Sequence, residues 1–151
     1  MAEKTTKVDE QKQVIYHPDF FKIPEDGGAP YLVASKCRNC GQLWFPNLRA
    51  CPECWSDAFD DAPMERAGKL YVYTISNVPQ PGLKAPLAFG YVDFPNGIRV
   101  GAQIDVPPEQ MKDIRIGMDL QVEAGVIRED KDGVKTVSYV FRPVAASKGG
   151  K

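Results

Sequence analysis

Apolar and polar positions along this chain fall into one long β-patterned half and a shorter, differently organised front. From Gly68 to Val78 the run GKLYVYTISNV alternates faces and is rich in aromatic and β-branched residues, as a half-buried strand requires. Four more runs repeat the texture: APLAFGYVDF (85–94), IRVGAQIDV (98–106), MDLQVEAGVIRED (118–130) and VKTVSYVFRPV (134–144). Asn96-Gly97 between the second and third runs is a strong hairpin signal. A Pro-rich loop follows the first run, and 107–114 suits a single helical turn or short helix between the third and fourth. Gly90 and Gly101 inside strands suggest bulges, or the bends at which a small barrel curls. Five such antiparallel strands predict a mainly β fold, a five-stranded Greek-key barrel of the OB type.

The front half reads differently. Val14, Ile15, Tyr16, Phe20, Phe21 and Ile23 cluster before any domain core, and Pro18 and Pro24 allow at most a short helix around Asp19 to Lys22. This is an N-terminal arm, either packed on its own barrel or docked on another subunit. Residues Met1 to Gln13 carry few apolar side chains and are expected to be mobile or ordered only by a partner. Tyr31 to Ser35 reads as a short strand, and Asp57, Asp60 and Asp61 as an acidic connector to the barrel. The expected organisation is an arm over 1–30, a small module over 31–62, the barrel over 63–145 and a disordered tail over 146–151.

All four cysteines lie in that small module, as CRNCGQLWFPNLRACPEC. Cys37 and Cys40 form one Cys-x-x-Cys pair and Cys51 and Cys54 a second, the spacing of a closed four-sulfur structural zinc site. Lys36, Arg38 and Arg49 favour thiolate over thiol, and Gly41 permits the positive φ that turns backbone N–H groups toward sulfur. Disulfides would need an oxidising compartment, and a lone redox pair would leave the other pair unexplained. Iron in the same site would make the chain a rubredoxin-like electron carrier. Leu43, Trp44, Phe45 and Pro46 form an apolar tongue between the pairs, with Trp55 just beyond.

Composition narrows the function. The chain has 151 residues, 43% hydrophobic and 26% charged, with a formal net charge of −1, values ordinary for a globular protein. The N-terminus lacks the apolar core of a signal peptide and no apolar run approaches ~20 residues, so a cytoplasmic protein with no membrane span is expected. No nucleotide-binding, zinc-protease or serine-hydrolase motif is present, and the single histidine, His17, lies twenty residues before the first cysteine. We assign no catalytic residue. Tyr71, Tyr73, Phe89 and Tyr91 could stack bases in a single-stranded nucleic-acid binder, the competing function. Against it, the segment 66–144 holds ten Lys/Arg and nine Asp/Glu with no basic stripe, so these aromatics are expected in the barrel core or an interface.

The order of motifs resembles a bacterial and archaeal family of small acyl-CoA-associated proteins that join a rubredoxin-like zinc ribbon to an OB-fold domain. The motifs are Cys37-Arg38-Asn39-Cys40-Gly41, Phe45-Pro46, Cys51-Pro52-Glu53-Cys54, Gly68-Lys69-Leu70, Pro86 to Asp93, Ile116-Gly117-Met118 and Phe141-Arg142-Pro143. One departure is Phe45-Pro46-Asn47-Leu48-Arg49, where the family often has Phe-Pro-Pro-Arg, so the basic residue is displaced. The resemblance implies a thiolase-like partner subunit that carries the catalytic residues, an acyl-CoA held by the complex, and a noncatalytic role for this chain. It extends to members that act in anaerobic aromatic degradation. Coenzyme A presents anionic phosphates and an adenine ring, and Lys36, Arg38, Arg49, Lys84 and Arg99 are the candidate phosphate contacts.

Overall fold

The structure, a computed structural model, describes residues 7–8 and 13–144. The barrel strands are β7 (Ala67–Ser76), β8 (Leu87–Asp93), β9 (Arg99–Ile104), β10 (Asp119–Glu129) and β11 (Lys135–Pro143). They lie in the order β11-β10-β7-β8-β9, and a further β11–β9 pairing closes the ring. The five expected strands are therefore the barrel's five strands. One pairing differs from expectation: β9 and β11 meet in parallel at Ile104 and Phe141, because four successive antiparallel pairings around a five-stranded ring leave its first and last strands parallel. The 107–114 segment forms a 3-10 helix over Pro108–Asp113 and buries Met111 against the barrel.

Strand alternation accounts for the core. Leu70, Ala88, Val92, Val100, Ile104, Leu120, Val122 and Phe141 point inward and are buried. Of the two expectations for Gly90 and Gly101, the bulge is not where the structure puts one. The β7–β8 bulge lies between Leu70 and Val72, on β7 rather than at either glycine. At Gly90, opposite Tyr73, a Cβ would stand 2.8 Å from the Val72 carbonyl oxygen and 2.9 Å from the side-chain tips of Ile104 and Leu70. Gly101 makes room for the Tyr91 ring, 2.7 Å from where its Cβ would be. Both positions are close approaches.

The front half forms a second sheet. β4 (Tyr31–Cys37) is its spine, pairing with β3 (Phe21–Lys22), β5 (Leu43–Trp44) and β6 (Phe59–Pro63). The stretch expected as an acidic connector is thus a strand. Asp60 and Asp61 stay exposed on β6 while the backbone pairs from Val33↔Pro63 to Cys37↔Phe59, so two aspartates masked strand character that backbone pairing supplies. The arm contributes β1 (Lys7–Val8) and β2 (Gln13–Ile15), and β2 adds in parallel to β11 through Gln13 to Ile15 against Lys135 to Val137. Residues 18–20 form a turn in place of a short helix. The rest of the segment expected to be mobile, 1–6 and 9–12, and the tail at 146–151 lie outside the described residues.

The two sheets share one core. Phe21, Leu32, Ala34 and Met64 pack in the same buried cluster as Leu70, Val92, Leu120 and Phe141. Phe20 meets Phe45 edge-on at 4.9 Å between ring centroids, and Tyr139 of β11 contacts Phe20, Phe21 and Phe45. The arm and the Phe45 end of the tongue therefore pack on this chain's own barrel. Arg66 ties the junction, donating to the Pro30 and Val122 carbonyl oxygens and pairing with Glu123.

Gly90→Ala should cost about 1–3 kcal/mol through overpacking against a strand carbonyl. Urea unfolding of the variant checks this, and an unchanged midpoint would show that the barrel yields there.

Candidate metal centre and surrounding surface

Two knuckles of one design build the site. In the first, the Gly41 N–H donates to the Cys37 carbonyl oxygen at 2.9 Å and the Cys37 N–H to that of Gln42 at 2.9 Å. In the second, the Trp55 N–H donates to the Cys51 carbonyl oxygen at 2.7 Å and the Cys51 N–H to that of Ser56 at 2.8 Å. Each turn closes on a residue at positive φ, Gly41 at 78° and Trp55 at 63°. The glycine accepts that conformation freely, whereas an L-residue with a Cβ does so at a cost of roughly 1–2 kcal/mol. Sequence reasoning found the first knuckle's glycine and missed its counterpart, because nothing about a tryptophan signals the left-handed region.

The four sulfurs converge, all lying within 4.8 Å of one another. Cys37 Sγ is 3.5 Å from Cys54 Sγ, and Cys40 Sγ is 3.6 Å from Cys51 Sγ. A tetrahedral zinc with bonds of ~2.3 Å sets sulfur–sulfur edges of about 3.8 Å, so the donor set fits that ion. The local fields suit it as well. The Cys40 backbone N–H is the main influence that pulls the Cys37 thiol down to about 6, against the opposing effect of burial. At Cys40 the Gln42 N–H favours thiolate, but burial and the Cys51, Cys37 and Cys54 sulfurs outweigh it and push the thiol up to about 12. Burial raises Cys51, yet the N–H groups of Cys54 and Glu53, the Cys40 sulfur and the Trp44 indole together bring it below its usual value. Four sulfurs this close do not all ionise unaided, and a divalent cation is the counter-charge that lets them. The cysteines predicted as ligands, Cys37, Cys40, Cys51 and Cys54, are therefore brought together as one candidate centre.

The five predicted coenzyme A contacts do not converge. Lys36 and Arg38 lie exposed at the end of β4, where Arg38 pairs with Asp60 at 2.7 Å. Arg49 is exposed in the loop before the second knuckle. Arg99, on the outer face of β9, is held by Asp93 at 2.5 and 3.0 Å and caps the Tyr71 ring at 3.5 Å. That guanidinium also holds the Asp93 carboxyl below its usual range. Lys84 alone of the five lines a cleft of about 780 Å³ between the Pro-rich loop, the end of β9 and the β10–β11 hairpin. Sequence reasoning overlooked the cations that join it there, Arg128, Lys135 and Arg142, because they come from strands distant in sequence. Arg142 is paired with Asp105 at 2.6 Å.

The aromatic set splits. Tyr71, Phe89 and Tyr91 stand on the barrel's outer face, 51%, 37% and 44% exposed, while Tyr73 packs against the core. The register explains it: the bulge after Leu70 puts both Tyr71 and Val72 outside. Trp55 is 80% exposed, the most open large apolar side chain described. His17 is a packing residue, with its ring 3.6 Å from Tyr16 and 4.7 Å from Phe20 between centroids. Among the described residues no helix is long and apolar enough to cross a membrane.

Two family models match the chain in tandem. One, described as the ChsH2 rubredoxin-like zinc ribbon domain, covers residues 25–60, and the other, the ChsH2 C-terminal OB-fold domain, covers 61–124. The chain belongs to this family of paired zinc-ribbon and OB-fold proteins. It is 40% identical to the benzoylsuccinyl-CoA thiolase subunit BbsA of Thauera aromatica, over 94% of this chain and 98% of that one. The BbsA subunit of Geobacter metallireducens is 36% identical over 96% of this chain and 97% of its own length. A solved structure titled "Ltp2-ChsH2(DUF35) aldolase" aligns with a TM-score of 0.60 at 25% identity, covering 76% of this chain and 86% of that one. The cysteine pairs thus stand as the candidate metal site of a zinc-ribbon family member.

Two outcomes follow from the geometry. Stripping the metal with a strong chelator should expose amides of 37–54 to hydrogen exchange while β7 to β11 keep their protection, because metal binding and ribbon folding are coupled. Loss of protection across all strands would mean the barrel cannot stand without the centre. Trp55→Gly should leave the isolated chain as stable as before or more so, since relief of the left-handed penalty offsets the added chain entropy. A Tm several degrees lower would show that the exposed indole packs internally after all.

Proposed function

We infer that this chain is the noncatalytic, zinc-bearing accessory subunit of a heteromeric thiolase-type acyltransferase complex, with the carbon–carbon bond chemistry on a larger partner. The observation that carries this reading is the near-full-length likeness to two thiolase subunits, at 40% and 36% identity. The zinc ribbon supports it from the side of chemistry. Four thiolates close the coordination sphere and leave no position for substrate or water, so the metal stabilises structure and is not poised to catalyse. Aromatic anchors dominate interface energies, and the exposed Trp55 and the Tyr71, Phe89 and Tyr91 face are the surfaces proposed to meet the partner. Phe45 and the arm are already engaged by Tyr139 and Phe20, which moves the expected contact away from the tongue.

The complex holds an acyl-CoA, an aromatic one if substrate class follows the named relatives, as in anaerobic aromatic degradation. Of this chain's cations, Lys84, Arg128 and Lys135 in the cleft are the set proposed to face its phosphates, in place of the dispersed five. Arg38 and Arg99 are committed to Asp60 and Asp93. A cytoplasmic setting accords with reduced thiolates at the centre. The nucleic-acid reading has less support, because the outer aromatic face carries Arg99 only as a paired charge.

Co-expression with a thiolase-like subunit should yield a stable complex whose turnover requires both chains. A chain that stays alone on a sizing column under those conditions would overturn the reading. Within an intact complex, Lys84→Glu combined with Arg128→Glu should raise KM for acyl-CoA on the order of tenfold, as loss of two charge-assisted contacts predicts. An unchanged KM would remove the cleft from the assignment while leaving the subunit role intact.

A further inference from the structure

Two walls of the cleft, the Pro-rich loop and the β10–β11 hairpin, touch at Gly82. Gln80-Pro81-Gly82-Leu83 is a tight turn, closed by the Leu83 N–H donating to the Gln80 carbonyl oxygen at 2.9 Å, with Gly82 at φ 81°. Proline followed by glycine at positive φ is the signature of a type II turn, so the turn is stiff by its own sequence. Its tie to the opposite wall is slighter. The Glu129 N–H donates to the Gly82 carbonyl oxygen at 3.1 Å, and among the described residues no other hydrogen bond ties 80–84 to the rest of the barrel. A Cβ on Gly82 would stand 2.9 Å from the Cγ and Nε of Arg128, so that side chain lies across the bare glycine.

Charge works against this contact. Lys84 lines the cleft from the loop, and Arg128 and Lys135 line it from the hairpin, none of them ion-paired among the described residues. Of the two carboxylates there, Asp105 is held by Arg142, which leaves Glu129 against three cations. Like charges on both walls push them apart, and an anion between them reverses the sign of that force.

We propose that the 80–84 turn is a clasp on the cleft: it parts from Glu129 to admit a phosphate-bearing ligand and is drawn shut as Lys84 and Arg128 meet that charge from opposite walls. The ligand class, a coenzyme A thioester, rests on the function proposed above; the clasp rests on the turn, its lone tie and the unpaired cations. A ligand shifts a conformational equilibrium only by binding one state better, and the closed state alone brings cations of both walls to one phosphate group. Gly82 is then a positioning residue that acts on the ligand through Arg128, whose stem it seats.

The test uses the full-length, zinc-loaded chain with coenzyme A as probe. Hydrogen exchange at the Glu129 amide reads the clasp directly, since that N–H makes the tie. Coenzyme A at roughly ten times its Kd should slow that amide about tenfold, as binding to the closed state alone requires, and leave the β7–β8 amides as they were. Inorganic pyrophosphate should slow it too and adenosine should not; a response to adenosine in place of pyrophosphate overturns the proposal. Gly82→Asn keeps a residue that accepts positive φ and fills the seat of Arg128. It should weaken coenzyme A binding on the order of tenfold and speed Glu129 exchange in the free chain, with the urea midpoint of the barrel little changed. If coenzyme A binds while Glu129 exchange and the Gly82→Asn affinity stay at wild-type values, the clasp is wrong and the subunit role stands. If coenzyme A does not bind the wild-type chain, alone or in its assembled complex, clasp and cleft fall together. A complex that never assembles counts against the wider reading by itself.

Discussion

Everything in this molecule hangs on β4. Its first residues, Leu32 and Ala34, are buried in the barrel's own core, and its last, Cys37, is a sulfur donor at the candidate metal centre. One seven-residue strand thus spans from apolar packing to the candidate centre, with no flexible link between them. Fixing Cys37 fixes the first knuckle, and the four-sulfur geometry then fixes the second, although Cys51 lies beyond a loop. β6 supports the other edge of β4 and hands the chain to Met64 and Arg66 at the barrel. A ribbon of this size could not hold its shape by burial alone. Here it draws on both a metal and a neighbour's core.

The sequence was legible wherever one local rule decided the outcome. Alternation plus turn residues gave five strands and the Asn96-Gly97 hairpin, and spacing alone picked out the four cysteines whose sulfurs converge. It was opaque wherever the deciding contact came from elsewhere in the chain. β6 carries two aspartates and looks like a linker until β4 is beside it. The parallel β2–β11 and β9–β11 pairings have no local signature. Gly90 and Gly101 were noticed, but whether a glycine marks a bulge or a close approach depends on the strand across from it. The cleft cations escaped for the same reason. Lys84 is far in sequence from the β10–β11 hairpin that carries Arg128 and Lys135, and lines one cleft with them only in the closed barrel.

Charge offers a cleaner separation of roles than proximity to the cysteines. Basic residues near the ribbon drew attention because thiolates and phosphates both attract cations. In the folded chain Arg38 answers Asp60, and Arg99 answers Asp93 and covers Tyr71. Exposed pairs of this kind contribute little to stability, yet each occupies the guanidinium that a phosphate would need. A ligand would have to displace the carboxylate first. Cations of the cleft that have no carboxylate contact of that kind in the described set meet no such competitor.

The two tryptophans then show how one small module divides its work. Trp44 is turned inward, its indole N–H buried without a hydrogen-bond partner. Trp55 occupies the position where the first knuckle uses glycine, holds a strained backbone angle, and leaves most of its indole in solvent. A residue that is unfavourable both in its backbone and in its exposure is easier to explain by what the chain meets than by how it folds. The metal makes such a choice tolerable: with four sulfurs holding the turn, the penalty at Trp55 is small beside the coordination energy that keeps the knuckle closed.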